Sequence, residues 1–443
     1  MNIAIVGGGI SGLATAFYIR QKNPDVSITL FEKANEIGGK MKTKEVEGFL
    51  FEEGSNGFLS NKPDTLDLVK SSGCDDLLMR SDDNARVRFI YKDALHQLPE
   101  SPMAFLKSPL LTCNGKIRVA TEFFRASKKD EKDETLQSFG YRRVGKEMTD
   151  TFLDAMVAGI FASSPDKISV QSAFPAVVKL EREYGGLFKG MLAKKKKEAG
   201  PGGVLMSFKS GVSSFINRLA NSANIEIKTS LHVKKLDKKD GKYSLHVNGK
   251  EEIFDKVILA TPAYESAIIL EEMDKELNAM LNSIEYSPIS IVGLGYNQLS
   301  HDLKGFGLLT TTSAKKEILG VLWDSSIFND RAPSGKKSLR VMIGGQRNPG
   351  LALKDDKELL KIAIRGVKET MGIDATVDVS YVKRYERGIP NYRVGHLESM
   401  SKLFEKLKKH KGLYLSSNAY FGVGLNDCVG NSKKMAEQIL REM

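Results

Sequence analysis

The chain opens on a short apolar run, Ile3 to Val6, that breaks at Gly7-Gly8-Gly9 and resumes as a helical stretch from Ser11 to Gln21. A second apolar run, Ser27 to Phe31, ends on Glu32. Short continuous apolar runs bounded by glycine, with a helical stretch between them, predict parallel strands buried on both faces. Asn224 to Val233, Tyr243 to Val247 and the DKVILATP run from Asp255 to Pro262 read as further strands, and Gly412 to Leu415 as a last one before a helix from Asn426. Residues 98–206 have another texture. Helical patterning appears at Met103, Leu106 and Leu110, and again at Ile117, Ala120 and Phe124, separated by charged loops such as Ser127 to Glu134. Leu153, Met156, Val157 and Ile160 make one more helical apolar stripe.

The first strand, turn and helix carry the first chemistry. Gly7, Gly9 and Gly12 stand in G-x-G-x-x-G spacing. The first glycine allows the tight turn, the second lets backbone approach a pyrophosphate, and the third packs helix on strand. The helix N-terminus then faces phosphate. Glu32 falls where an acid that binds ribose belongs. A dinucleotide site is expected.

At 443 residues the chain is long enough for roughly three domains. The formal net charge of +11 comes from basic residues spread along the sequence, without a nucleic-acid motif. The charge therefore points to an anionic membrane surface or a carboxylate ligand, not to nucleic acid. Lys194 to Lys197 could add attraction to anionic lipid. Cys74, Cys113 and Cys428 are far apart and match no zinc spacing, so no metal is expected and a reduced, cytoplasmic setting fits. The N-terminal residues are committed to the nucleotide fold and carry no signal peptide. No apolar run reaches the roughly 18 residues that span a bilayer. Any membrane contact is expected to be peripheral.

After Glu32 come Gly38-Gly39-Lys40, Thr43 and Gly48 through Gly54, a glycine pair and a G-x-x-x-E-x-G run that resemble the extended fingerprint of the flavin amine-oxidase superfamily. Lys40 departs from the arginine usual there and loses the planar fork. The Gly412 to Leu415 strand and the Gly422-Val423-Gly424-Leu425 turn resemble the segment which in that superfamily sets a helix start beside the flavin, although Ser417 replaces a glycine. The resemblance implies non-covalent FAD, held by Gly7, Gly9, Ser11, Gly12, Glu32, Lys33, Gly39, Lys40, Gly54, Ser55, Val233, Gly422, Val423 and Leu425.

Four more segments, RFIYKDALHQL from Arg88, AGIFASSPDKISVQSAFP from Ala158, RVMIGGQRNP from Arg340 and RYERGIPNYRVGH from Arg384, resemble the protoporphyrinogen oxidase family over essentially the whole chain. That resemblance implies an α/β fold with a discontinuous Rossmann-like FAD-binding domain (1–87, 207–262 and 381–443). It also implies a mixed-sheet substrate domain (88–97 and 263–380) and an inserted helical, membrane-facing domain (98–206). It implies oxidation of protoporphyrinogen IX to protoporphyrin IX with oxygen as acceptor, in haem biosynthesis. Arg88 would hold a propionate, the backbone of Gly159 would face the pyrroles, and Leu309, Leu322 and Met342 would flank the macrocycle. The flavin would take the hydride and no general base is assigned; His396 reads as structural, and His96 has a family match without assigned chemistry. The oligomeric state is open, a homodimer included. The sister reading is coproporphyrinogen III oxidation. Amine oxidase and carotenoid desaturase readings stand behind it, the former revived by any flavin link through Cys428. A flavin-free prenyl-protein binder of the GDP dissociation inhibitor type is the reading from another class.

Overall fold

A computed structural model describes residues 1–197 and 203–443, the side chains of 194–197 excepted. The expected contribution of the Lys194 to Lys197 side chains lies outside the described residues.

The N-terminal strand, Asn2–Val6, is the middle one of a five-stranded parallel sheet ordered Glu226–Lys228, Ser27–Phe31, Asn2–Val6, Lys256–Leu259, Leu413–Leu415. A strand flanked on both sides and covered on both faces must be apolar throughout, and Ile3 to Val6 are all buried. The helix Ile10–Lys22 is buried from Ile10 through Ile19 because it lies under Leu425–Arg441 and beside Val212–Ala223. The other face carries a three-stranded meander, Val233–Lys239, Lys242–Val247 and Lys250–Phe254, with the helices Ala263–Leu270, Lys275–Asn282 and His396–Leu407.

The second body is a seven-stranded sheet ordered Val379–Pro390, Tyr286–Tyr296, Lys337–Gly344, Ile318–Leu322, Gly307–Thr310, Phe89–Tyr91, Leu95–Gln97. It is antiparallel except where Gly307–Thr310 runs parallel to Phe89–Tyr91. Alternation sorts its side chains. Val292, Leu294, Val321, Val341 and Ile343 face the helix Asp356–Met371. The opposite face turns toward the nucleotide body and the helical insert. There Gly293 and Gly295 leave room for Phe51 and Phe49 of the hairpin Thr43–Val46/Phe49–Glu52.

Four expectations change. Asn224 to Val233 is not one strand: Asn224 caps the preceding helix in the left-handed conformation, and Ser230, at φ 56°, breaks the rest into Glu226–Lys228 and the start of Val233–Lys239. Leu110 lies beyond its expected helix, which ends at Lys107 because Pro109 pushes Ser108 out of helical conformation. Residues 381–390 belong to the seven-stranded sheet, not to the nucleotide body. Residues 263–282 bury Ala263, Leu270, Leu277 and Leu281 in the nucleotide body's core, not under the substrate sheet. The insert is helical as expected, with a π-helical turn at Thr149–Leu153 leading into Asp154–Phe161.

Four charged side chains are sealed where the two bodies meet: Glu52, Arg331, Asp324 and Arg340 are each at most 1% exposed. Arg331 Nη2 lies 3.0 Å from Glu52 Oε1, whose partner oxygen accepts from Thr43 Oγ1 at 2.7 Å. Arg340 Nη2 donates to Asp324 Oδ1 at 3.0 Å. Arg331→Met strands the Glu52 carboxylate and is expected to lower unfolding free energy by about 3–5 kcal/mol. The double variant Glu52→Leu/Arg331→Met should recover most of that loss in urea titrations.

Candidate functional site

The nucleotide cradle is built from two glycine loops in contact. Gly38 N donates to Gly8 O at 2.8 Å, and Gly39 meets the Cα of Gly9. A Cβ on Gly12 would overlap Gly7 O, so helix and strand approach this closely only with glycine. Gly9 caps the helix Ile10–Lys22 without a side-chain hydrogen bond, which leaves the first-turn N–H groups to a ligand, and nothing but Gly39 Cα at 4.0 Å bounds the space over it. Ser11 is buried in that first turn, its carbonyl taken by Thr15 and Ser432. Glu32 sits at the carboxyl end of Ser27–Phe31, its oxygens accepting from Gly8 N at 2.8 Å and Ala34 N at 2.9 Å. Each oxygen keeps a second lone pair for a hydroxyl. The Leu231 N–H reaches Glu32 O at 3.0 Å and so brings Val233 near the acid, with the Val233 side chain buried in the core. Lys33 points outward to Glu265, 2.6 Å away.

The far side of the cradle comes from Gly54, Ser55 and the C-terminal turn. Gly422, at φ 85°, fits only without a side chain, because a Cβ would strike Asp427. Leu425 is buried in the core, Val423 is half-buried, and Asp427 accepts from Gly424 N at 3.3 Å to cap the helix start. Asn56, next to Ser55, buries both amide atoms without a partner among the described residues, a donor and an acceptor that a bound polar ligand would satisfy. These features fit a dinucleotide.

Lys40 lies between the two bodies. Its ammonium donates to Arg387 O at 3.3 Å and to Gly388 O, beside the rings of Tyr286 and Tyr385. No carboxylate pairs with it among the described residues, and burial pushes its pKa down to about 8. The Tyr385 hydroxyl is buried with no partner, and burial together with Glu53 keeps it protonated well above the ordinary range. Tyr385 lies in the RYERGIPNYRVGH run, where a phenol in a strand carries no signal until the strand's face is known.

Leu309 pairs with Gly320, Gly320 with Met342, and Met342 with Ile291, so they form one row across four strands on the face turned to the nucleotide body. Leu322 and Ile90 share that face, and Arg88 stands at its edge, two residues before Ile90. Arg88 is exposed, makes no ion pair among the described residues, and lies over the Phe306 ring at 5.0 Å. Gly159 meets the row from the helix Asp154–Phe161: a Cβ there would sit 2.9 Å from Leu309 Cδ1. All five expected substrate residues are thus brought to one surface, and Leu309 itself accounts for the absence of a side chain at 159. Asp154 fixes this helix by accepting from Thr312 N at 2.6 Å and pairing with Arg347 at 3.0 Å.

His396 is held in place, its Nε2 at 3.0 Å from Tyr420 O and its ring stacked on Tyr392; burial lowers its pKa and keeps it neutral. His96 pairs with Asp93 at 2.7 Å. The Cys428 thiol is buried and its pKa is pushed up to about 12, which disfavours the thiolate needed for a flavin link. No cluster of metal-ligating residues exists among the described residues.

The family model for flavin containing amine oxidoreductase matches residues 10–440, and the chain belongs to that family. It is an FAD-dependent oxidoreductase, which sets aside the flavin-free binding reading. It is 28% identical to the coproporphyrinogen III oxidase of Bacillus subtilis (strain 168), over 99% of this chain and 98% of that one. It is also 28% identical to the chloroplastic protoporphyrinogen oxidase of Oryza sativa subsp. japonica, over 99% and 88%. A solved structure from an Exiguobacterium species, assigned as a protoporphyrinogen oxidase, superposes with a TM-score of 0.88 at 27% identity, covering 100% of this chain and 99% of that one.

Raising pH through about 8 neutralises Lys40 and removes a cation from the cradle. The FAD dissociation constant is expected to be flat below that pH and to weaken above it by at most about tenfold per pH unit. Lys40→Arg should abolish the break in a fluorescence titration.

Proposed function

We propose that this chain is a porphyrinogen oxidase that converts protoporphyrinogen IX to protoporphyrin IX, with oxygen as the final acceptor. The observation that carries the reading is the apolar face on which Ile90, Leu309, Leu322, Met342 and Ile291 lie together, with one free guanidinium, Arg88, at its edge. A flexible apolar macrocycle bearing propionates needs such a surface and such an anchor. Bound FAD supplies the acceptor for hydride from a bridging carbon. The protein's part is position: Arg88 holds a propionate, the Leu309 row and Gly159 lie against the ring, and the apolar lining keeps water from the reacting carbon. The row offers no carboxylate or histidine, so protons pass to water or to the substrate's own nitrogens. Names carried by full-length relatives support the substrate class.

The second reading, coproporphyrinogen III oxidation, is favoured by the end-to-end match to the Bacillus subtilis enzyme. Porphyrin fluorescence followed aerobically with both porphyrinogens, above an enzyme-free blank, separates the two: faster turnover of protoporphyrinogen supports the first reading, and the reverse establishes the second. Turnover of neither by flavin-loaded protein would overturn the substrate class.

The site residues belong to the same proposal. Arg88→Ala is expected to raise KM by about 10–100-fold, the worth of a hydrogen bond to a charged group, while FAD affinity stays unchanged. We also assign the insert to a peripheral membrane surface on the cytoplasmic side. No helix among the described residues is long and apolar enough to cross a bilayer, yet Phe124 is 83% and Ile117 62% exposed, and Met103 and Leu106 are exposed beside them in sequence. Phe124→Ser and Ile117→Ser should each weaken sedimentation with anionic phosphatidylglycerol vesicles by about tenfold, the worth of one buried apolar side chain.

A further inference from the structure

Arg340 is the longest-reaching member of the sealed charge cluster. Its Nη1 donates to Glu52 O at 2.9 Å and to Gly54 O at 3.3 Å, while Nη2 is held by Asp324 Oδ1 at 3.0 Å. It projects from Lys337–Gly344 on the same face as Met342, two residues on. One guanidinium therefore joins the strand that carries the candidate substrate wall to the backbone that enters the cradle.

A trans peptide is planar, so its N–H points opposite to its C=O. Holding the carbonyl of Glu52 toward Arg340 turns the Glu53 N–H the other way, and that N–H is found on Lys42 O at 2.8 Å. The same geometry at Gly54 turns the Ser55 N–H away from Arg340. No described group accepts from Ser55 N, and the Ser55 hydroxyl is occupied with Gly57 O at 3.1 Å. Gly54 is pressed against Lys40, since a Cβ on it would overlap Lys40 O, so this segment has little room to turn.

We propose that Arg340 is a positioning residue for the cofactor: by fixing the Gly54 carbonyl it presents the Ser55 N–H as a hydrogen-bond donor to FAD, in register with the substrate wall at Met342. The proposal rests on the FAD assignment and not on which substrate is oxidised. Arg340 is sealed from the surface and acts through the carbonyls it holds. Lysine keeps the charge but lacks the fork that reaches two carbonyls and a carboxylate together.

The test uses flavin-loaded full-length protein. Hydrogen exchange with mass spectrometry, with and without FAD, should show protection of a peptide covering residues 53–57 in the wild type. In Arg340→Lys the protection should fall, the FAD dissociation constant should rise about tenfold, equal to about 1.4 kcal/mol, and the fine structure of the visible flavin band should change. Unaltered melting of the FAD-free form would show that the variant is folded. Wild-type affinity, spectrum and protection in a folded Arg340→Lys would overturn the proposal. So would the absence of FAD-dependent protection over 53–57 in the wild type, a result that needs no variant. Protein that binds no FAD would instead remove the assignment beneath it, and failure to turn over porphyrinogens with FAD bound would touch only the substrate reading.

Discussion

Two carboxylates and two guanidiniums, sealed from water at the junction of two sheets, hold the architecture in one arrangement. Burying charge is expensive, and it is tolerated here because every member finds an opposite charge or a backbone carbonyl. Glu52 belongs to the hairpin of the nucleotide body, whereas Arg340 lies on a strand of the seven-stranded sheet, and Asp324 and Arg331 lie in the helix and loop that lead into that strand. Sliding one body over the other would strand charge in a medium that cannot solvate it. An apolar contact of the same size would resist such sliding far less, because hydrophobic burial has no direction.

From that junction the shared apolar face runs across the sheet. Tyr385 and Lys40 lie at one side, near Ile289, and Arg88 at the other, five strand intervals away, which is roughly 24 Å at ordinary strand spacing. The span separates Arg88 from the part of the face beside the nucleotide cradle. What lies between is apolar and flat, with Gly320 in the middle of the row to lower its floor.

The cofactor half was legible in the sequence because it is written locally. Gly7, Gly9 and Gly12 act through their own backbone, and Glu32 follows at the end of the next strand, so spacing alone carried the prediction. The seven-stranded sheet was less legible, since its order is set by pairings distant in sequence: Phe89–Tyr91 beside Gly307–Thr310, and Val379–Pro390 beside Tyr286–Tyr296. Residues 381–390 therefore passed as part of the nucleotide body. The sealed cluster does leave a trace in the sequence: in the run KSLRVMIG, Arg340 is a charge set between Leu339 and Val341-Met342-Ile343, a pattern that signals a buried partner. The five expected substrate residues came from resemblance; the shared face of Arg88, Leu309, Leu322 and Met342 could be found only once strand register was known.

The central sheet is closed by a strand from the far end of the chain. Leu413–Leu415 pairs with Lys256–Leu259, and Leu425–Arg441 covers the helix that follows the first glycine turn. A growing polypeptide therefore makes its phosphate-binding turn among the first residues and waits until some four hundred more have been joined before the helix behind that turn is covered. Throughout synthesis Leu13, Phe17 and Ile19 lack their final neighbours, and the cradle lacks its far wall. The cradle is consequently completed only once residues 413–441 have been joined, and the segment around the first glycine turn is the part that most needs shielding before then.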